Sequence, residues 1–506
     1  MTGAGIARCG FLAIVLASLS MPAGSEDGSA SNAALIAALE AAVPAALVRH
    51  DVPGAAVAMV RGGEVVWEGA FGIADMDGRT PVTIDTVFEA ASVAKPVTTW
   101  TVLRLAEQGL LDLDAPIETY ISDWSLPPSE FDHTQVTARR LLAHAAGTNF
   151  GGDPGVEPGE TVPTLREAAD GAVLEGGPIQ VSFSPDKAYR YSSKGYALLE
   201  MAVEEITGIP FPEYARREIL EPLGMRSSGF EWTPELRDRA ATGHDWFGNP
   251  LPHYEHATSA PGGLQTTAGD LARFLAAGMT GPSGEPRGRD VISPGAVTET
   301  FTPYPFTDDE TLIGLGYNLD ISTGVLVGRK SGDHRGFKPI VFTIPDLGAA
   351  LVILTNSDRA AAGAFADIAC PWSQLLQGDP LRPLCGQLYL IRNTHWGLAA
   401  FLFAVGSWVG SRPVIDWAKG TRGPINRVRS WRGLVVAALL FVVVAWWGFW
   451  YTDIPLGLLG YPPTFYTVRF DPWPTAFVWV SWAFTCLVLA MVLRVIFPKI
   501  DQTNET

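Results

Sequence analysis

The sequence predicts an α/β domain of the α+β type, in which an antiparallel sheet subdomain lies beside a mostly helical subdomain. Strand patterns occur at 54–72 and again at 326–354, close to the two ends of this domain. Helical segments and loops rich in proline and glycine occupy the chain between them. Two groups of strands that flank a helical middle fit a single sheet assembled from both ends of the domain.

The separate elements follow from local patterns of apolar residues and turn residues. Alanine and leucine dominate 32–48, which predicts a helix, and the turn at Arg61-Gly62-Gly63 joins two apolar runs into a hairpin. Further helices are predicted at 96–108, 138–143, 196–206 and 211–220, and strands at 326–332, 338–344 and 349–354.

The N-terminus has the composition of an export signal. Arg8 precedes an apolar run from Cys9 to Met21, and small residues near 23–25 resemble a cleavage site. The run is too short to span a bilayer. We therefore expect residues 1–25 to be a signal peptide, with a retained signal anchor as the alternative.

The end of the chain differs in charge from the rest. Residues 1–385 carry 26 Lys and Arg against 48 Asp and Glu, whereas residues 386–506 carry 10 against 5. Apolar stretches at 396–409, 433–450 and 474–493 predict three transmembrane helices within 396–493, after a linker at 371–395.

The basic residues between the first two predicted spans set the orientation. A loop at 411–432 that is rich in Lys and Arg is expected on the cytoplasmic side. This predicts a multi-pass protein of the cytoplasmic (inner) membrane, with the domain at 33–370 on the extracytoplasmic, periplasmic side. The acidic balance of that domain argues against nucleic acid as a partner. An oxidising compartment permits a disulfide between Cys370 and Cys385, and the sequence leaves its formation open.

The first candidate catalytic pair is Ser92 and Lys95, at the start of the long helix predicted at 96–108. Residues three apart are neighbours on one helix face, and the N-terminus of a helix directs backbone N–H groups to the same place. A hydroxyl, an amine and N–H donors are what a serine needs in order to be acylated by a carbonyl substrate. Because Ser184 and Lys187 have the same spacing in a turn-like stretch, the pair needs support from other residues.

A second candidate cluster is Tyr191-Ser192-Ser193, before the helix predicted at 196–206. The Tyr191 hydroxyl or the Lys95 amine could take the proton of Ser92, and Ser193 could hydrogen-bond the substrate. The alternative is a surface turn in which Ser192 or Ser193 caps the helix.

The third candidate cluster is His334-Arg335-Gly336, followed by Phe337. Gly336 would allow the backbone to approach a ligand closely. The Phe337 N–H could complete an oxyanion hole with the Ser92 N–H. The alternative for this segment is a polar turn.

Taken in order, the three clusters resemble the motifs S-x-x-K, Y-x-(N/S) and (K/H)-x-G of the serine β-lactamase and penicillin-binding protein superfamily. The likeness is greatest to the class C β-lactamase-related group, which includes esterases and D-amino-acid peptidases, and it covers roughly 33–370. The resemblance implies Ser92 as nucleophile, Lys95 and Tyr191 as the proton-transfer pair, and a cleft lined by Ser193 and His334. It implies no metal and no other cofactor. Further segments that resemble sequences typical of this group are 141–147, 221–225, 260–264, 267–274 and 314–317.

Two departures from the motifs bear on the substrate. Ser193 stands where asparagine is commoner, and His334 stands where β-lactamases carry lysine. A histidine is mostly neutral at pH 7, so the hold on a β-lactam carboxylate would be weaker. Alternation along a strand would turn Arg335 away from His334. An esterase or peptidase is therefore expected rather than an efficient β-lactamase.

Two other histidine signals are expected to be structural. His253 and His256 have a spacing that metal ligands can have, but the sequence supplies no acidic or third ligand at a suitable spacing. His144 lies on a predicted helix and is expected to be a structural residue.

The sequence thus predicts a membrane-anchored serine hydrolase that acts on a small-molecule or peptide ester or amide through an acyl-Ser92 intermediate. The alternative is a penicillin-binding-type sensor that acylates and stalls, or a cell-wall-binding scaffold without turnover. Three predicted spans motivate the alternative, because one span would suffice for anchoring. The lifetime of the acyl-enzyme separates the two.

Overall fold

The computed structural model describes residues 30–360 and 362–420. The predicted signal peptide and the second and third predicted membrane spans lie outside these residues. The strands are β1 (Gly54–Arg61), β2 (Glu64–Asp75), β3 (Thr80–Pro81), β4 (Phe88–Glu89), β5 (Gly243–His244), β6 (Pro250–Leu251), β7 (Gln265–Thr266), β8 (Asn318–Asp320), β9 (Val327–Ser331), β10 (Ile340–Ile344) and β11 (Ala349–Thr355).

Every helix that the sequence predicts between residues 32 and 220 has a counterpart, but the one predicted at 211–220 is α-helical only to Ala215 and continues as a π-helix over Arg216–Leu220. The α-helices are α1 (Asn32–His50), α2 (Ala94–Glu107), α3 (Ala138–Leu142), α4 (Leu165–Ala169), α5 (Ser193–Thr207), α6 (Phe211–Ala215), α7 (Pro234–Arg237), α8 (Ala268–Ala277), α9 (Pro294–Thr300), α10 (Ala362–Ser373) and α11 (Arg382–Ala418).

The main sheet has seven strands in the order β3-β2-β1-β11-β10-β9-β8. All its neighbouring strands are antiparallel. The N-terminal hairpin meets the C-terminal strands where β1 pairs with β11, in a register that places Ala55 opposite Thr355. The prediction of one antiparallel sheet built from both ends of the domain is confirmed.

Both faces of the central strands are covered. In β1, Ala55, Val57 and Met59 belong to the apolar cluster formed with α1 and α10. The alternate residues, among them Ala56 and Ala58, belong to a larger cluster that includes α8 and the helical subdomain. A strand that is buried on both faces needs a continuous apolar run, which explains the sequence of β1.

The helical subdomain is organised around α2, which is buried along most of its length. It packs against α5 and α6, and α5 in turn packs against α3 and α4. The N-terminal residues of both α2 and α5 therefore lie at the junction between this subdomain and the sheet, where β9 contacts the turn Ala91–Val93.

The C-terminal part of the described chain contains a disulfide at the predicted linker. Cys370 and Cys385 form a disulfide with their Cα atoms 5.9 Å apart. Residues 371–395 contain the end of α10 and the start of α11, so this segment is largely helical.

One described helix, α1, is long and apolar enough to cross a membrane by length and composition. In this structure it packs Leu35, Leu39 and Val43 against the sheet. The same criterion does not select α11, which contains the first predicted span at 396–409.

Candidate active site

Ser92 lies in a tight turn between a strand and a helix. The short strand β4 ends at Glu89, the 3-10 turn Ala91–Val93 follows, and α2 begins at Ala94. Ala91 has φ +45°, a left-handed conformation that costs energy for a residue with a Cβ. Gly332 at the end of β9 packs against this turn, since a Cβ there would lie 2.6 Å from the Ala90 carbonyl oxygen. The nucleophile candidate is thus held between a helix N-terminus and a strand end.

Lys95 is fully buried and its amine points at Ser92. Its Nζ lies 3.1 Å from Ser92 Oγ, 3.2 Å from Ser193 Oγ and 2.7 Å from the Pro261 carbonyl oxygen. An ammonium group can donate to all three acceptors. A neutral amine can instead donate to Pro261 and Ser193 while it accepts the Ser92 hydroxyl proton. Both protonation states therefore fit the same set of contacts.

Tyr191 completes the group around Ser92. Its Oη lies 2.7 Å from Ser92 Oγ. Ser192 is the N-cap of α5 and accepts the Gly195 N–H at 3.1 Å, which leaves Ser193 in the first turn of the helix facing Lys95. The structure brings Ser92, Lys95, Tyr191 and Ser193 together, as the sequence predicts.

His144 supports Tyr191 from behind. It is 4% exposed, and its ring centroid lies 4.5 Å from that of Tyr191. Its Nδ1 accepts the Ser192 N–H at 3.2 Å. Burial, together with the charges of Lys330 and Lys95, holds the pKa of His144 well below its usual range, so the ring is neutral. These contacts agree with the expected structural role.

His334 lies on the wall of the site, paired with a buried carboxylate. Its Nδ1 lies 3.0 Å from Glu89 Oε2. Burial raises the pKa of Glu89, but hydrogen bonds from His253 and His334 outweigh it and bring the pKa to about 2. Burial lowers the pKa of His334 by more than Glu89 raises it. A neutral His334 therefore donates from Nδ1 to an ionised Glu89, and its Nε2 lies toward Gly262 and the Ala91 backbone.

Gly336 and Phe337 have other partners than the sequence suggests. The Gly336 N–H donates to Asp358 Oδ1 at 3.0 Å, and its φ of +80° belongs to a turn. The Phe337 N–H donates to the His334 carbonyl oxygen at 3.0 Å, and the Phe337 side chain is buried. The predicted oxyanion role of Phe337 thus lacks a free donor in this structure, because that N–H closes the His334–Phe337 turn.

The segment that meets the Ser92 turn is instead Lys330-Ser331-Gly332, at the end of β9. Lys330 is 4% exposed, and its Nζ lies 4.9 Å from the centre of the Tyr191 ring. Ser331 and Gly332 line the same cleft as Ser92. The sequence analysis missed these residues, although Lys-Ser-Gly fits the (K/H)-x-G motif and falls inside the strand predicted at 326–332. His334-Arg335-Gly336, a few residues later, fits the same motif, so the motif alone does not distinguish the two segments.

A cluster of histidines and carboxylates flanks the cleft. Glu89, His256 and His334 each offer a ligand atom, and these atoms lie within 4.8 Å of one another. They are the residues of the described chain that could hold a metal ion. They already have other partners: His334 is hydrogen-bonded to Glu89, while His256 lies 3.7 Å from the Asp153 carboxylate and stacks on His334 with ring centroids 4.8 Å apart. Parallel stacked rings do not aim two nitrogens at one ion, so the arrangement fits a metal poorly without rotation of a ring.

The cleft itself has a volume of about 380 Å³ and reaches from Ser92 along β9. Ser193, Tyr191 and His334 line it. Arg335, which alternation predicts to point away from His334, places its guanidinium 4.6 Å from the centre of the Tyr254 ring. The Ser92 and Tyr191 hydroxyls thus lie in one depression whose wall carries both acidic and basic side chains.

Known proteins resemble this chain in sequence and in fold. Esterase EstB from Burkholderia gladioli is 31% identical over 245 residues, which cover 46% of this chain and 61% of the esterase. Penicillin-binding protein 4* of Bacillus subtilis is 24% identical over 332 residues, which cover 62% of this chain and 69% of that protein. The octameric penicillin-binding protein homologue from Pyrococcus abyssi superimposes with a TM-score of 0.55 at 25% identity, over 64% of this chain and 74% of that chain.

The match to EstB thus spans about three fifths of the esterase's length. A match to the family described as Beta-lactamase spans residues 33–369, well over half of the sequence. The chain belongs to the beta-lactamase family.

Proposed function

We propose that the protein is a serine hydrolase that cleaves an ester or amide through an acyl-Ser92 intermediate. The observation that carries this proposal is that Ser92 Oγ lies within hydrogen-bond distance of both Lys95 Nζ and Tyr191 Oη. Such a position provides both a route for the serine proton and a nearby donor for the leaving group.

In the first half-reaction, Ser92 Oγ attacks the substrate carbonyl carbon while its proton passes to Tyr191 or Lys95. The carbonyl oxygen becomes an oxyanion next to the N-terminus of α2, where the Ser92 N–H and the end of β9 supply the nearest backbone. Return of the proton to the leaving oxygen or nitrogen breaks the scissile bond and leaves acyl-Ser92. Water then attacks the ester by the same proton route and restores the free hydroxyl.

Substrate binding is assigned to Ser193, Ser331 and His334, which line the cleft. Lys330 lies beside Tyr191 but is only 4% exposed, so the weak hold on a substrate carboxylate expected from His334 still applies. Ester or peptide substrates remain the first choice, supported by the likeness to an esterase. β-Lactams belong in the same screen.

The direct test is steady-state hydrolysis of p-nitrophenyl esters by wild type and by Ser92→Ala. We expect Ser92→Ala to remove turnover, because Ser92 Oγ is the proposed nucleophile and contacts both Lys95 Nζ and Tyr191 Oη. Ser184→Ala is the matched control, since Ser184 precedes Lys187 with the same spacing but is exposed outside the cleft. Equal activity in wild type and Ser92→Ala would refute the proposal, as would loss of activity in Ser184→Ala alone.

We also propose export by residues 1–25 and anchoring by the segment 396–493, which place the domain at 33–370 outside the cytoplasmic membrane. The apolar runs and the basic loop at 411–432 support this arrangement. Full-length chain should remain in the membrane pellet after an alkaline carbonate wash. Release of the full-length chain into the supernatant would contradict anchoring.

A further inference from the structure

An apolar groove lies next to the cleft, between the sheet and the helices α10 and α11. Its volume is about 80 Å³. Apart from Arg329 at one end its lining is apolar, and the side chains that matter below are Ile340, Phe365, Ala369, Leu384 and Leu388. Burial of methylene groups against such side chains is favourable, so the groove suits an aliphatic occupant.

The groove continues the cleft that contains Ser92. Arg329, Ile340 and Phe365 line both spaces. Arg329 directly precedes Lys330-Ser331-Gly332 on β9, whose end packs against the Ala90 carbonyl beside Ser92. A substrate that lies along the end of β9 while it reacts with Ser92 therefore has the groove as its natural extension.

The outer wall of the groove is held in place by a covalent bond. Cys370 on α10 and Cys385 on α11 both line the groove and form the disulfide that joins these helices. A wall that is fixed before the ligand arrives does not have to be ordered on binding. The groove is therefore already formed before a ligand binds.

We propose that this groove binds an aliphatic chain of the substrate, so that the protein prefers esters or amides with a long alkyl or acyl chain. The inference rests on the proposed function, because the occupant must also react with Ser92. Chain preference and Ser92 dependence are separate readouts, which keeps the two proposals distinguishable.

The experiment compares two series of esters on the full-length chain. The acyl series is p-nitrophenyl acetate, butanoate and octanoate, and the leaving-group series is S-ethyl and S-octyl thioacetate. We expect kcat/KM to rise about fourfold for each methylene that the groove buries. A rise in the acyl series places the chain on the acyl side, and a rise in the thioacetate series places it on the leaving-group side; either supports the proposal.

Two variants locate the effect in the groove. Ala369→Phe fills it, and Leu388→Glu places a carboxylate at its half-buried wall. Each should lower the ratio of long-chain to short-chain kcat/KM by about tenfold, which corresponds to the loss of roughly two buried methylenes. A thermal unfolding scan shows whether the larger side chain of Ala369→Phe prevents folding. If it does, Leu388→Glu alone tests the proposal.

Leu390→Glu is the matched control, because it adds the same charge on the same helix at a side chain that is 67% exposed and outside the groove. It should leave the ratio unchanged. Equal kcat/KM for short and long chains in both series, with hydrolysis still dependent on Ser92, would overturn this inference alone. A chain preference that both groove variants retain would also overturn it. Loss of Ser92 dependence would instead overturn the proposed function and this inference with it.

Discussion

At the level of single residues, Ser92, Lys95 and Tyr191 form a small hydrogen-bonded group, which we propose transfers the serine proton. Lys95 is surrounded by three oxygen atoms that fit either the ammonium or the neutral amine. Tyr191 Oη is the nearer partner of Ser92 Oγ, at 2.7 Å against 3.1 Å for Lys95 Nζ. Tyr191 is therefore the better candidate for the group that takes the serine proton.

Replacement of Tyr191 by phenylalanine tests this assignment. Tyr191→Phe keeps the ring contact with His144 and removes only the hydroxyl. We expect kcat for p-nitrophenyl esters to fall by about 10²–10⁴, the usual contribution of a general acid or base, with a much smaller change in KM. Tyr189→Phe is the control, because that ring packs edge-on against His144. A kcat within a few-fold of wild type in Tyr191→Phe would assign the proton transfer to Lys95.

Part of the candidate site can be predicted from the sequence at the level of single residues. Ser92 and Lys95 follow from spacing on a helix, and Tyr191 and Ser193 from their place before a second helix. Lys330 was missed because two short segments near β9 both fit (K/H)-x-G, and spacing alone does not say which one meets Ser92. The close packing of Gly332 against the Ala90 carbonyl decides it, and that contact exists only in the fold.

Single elements link the helical subdomain to the site. In α5, Glu200 accepts the backbone N–H groups of Ser259 and Ala260, both at 2.8 Å, just before Pro261. The Pro261 carbonyl oxygen in turn accepts from Lys95. Burial raises the pKa of Glu200 to about 8, in spite of these hydrogen bonds. A buried acid thus holds the loop that orients Lys95.

A pH-dependent stability follows from Glu200. Its folded pKa of about 8 lies above its ordinary value of 4.5, so between these values the native state binds a proton that the unfolded state lacks. Its contribution to the free energy of unfolding is complete below the lower value and declines as pH rises through the window. The free energy of unfolding of wild type minus that of Glu200→Gln, measured by denaturant titration across this range, should therefore fall as pH rises. Exposed Glu213→Gln should show no such trend, and a constant difference for Glu200→Gln would contradict the account.

The disulfide between Cys370 and Cys385 also acts at the scale of elements, because it joins two helices. It closes a loop with a sequence separation of 15 residues between α10 and α11. A disulfide that closes a loop of this length adds about 3 kcal/mol to the free energy of unfolding, because it restricts the unfolded chain. The double variant Cys370→Ser with Cys385→Ser should lose about this much free energy of unfolding, and reductant should affect wild type but leave the variant unchanged. An unchanged free energy of unfolding in the double variant would show that the bond does not stabilise the domain.

At the scale of the whole molecule, the active site lies at the junction of two subdomains. The sheet contributes β9, and the helical subdomain contributes the N-termini of α2 and α5. The sequence predicts the sheet well, because buried apolar runs and turns are local signals. The helical character of 371–395 was not foreseen, because α11 is ordered there by packing against α10.

The central claim, that Ser92 is acylated and then released, is tested most directly by time-resolved intact mass of the full-length chain with p-nitrophenyl acetate. We predict a transient gain of one acetyl group on the peptide that contains Ser92, which decays while nitrophenol continues to accumulate. Ser92→Ala should show neither the adduct nor the turnover. A permanent adduct would identify an acylated sensor without turnover, and the absence of any adduct on Ser92 during rapid turnover would contradict the mechanism.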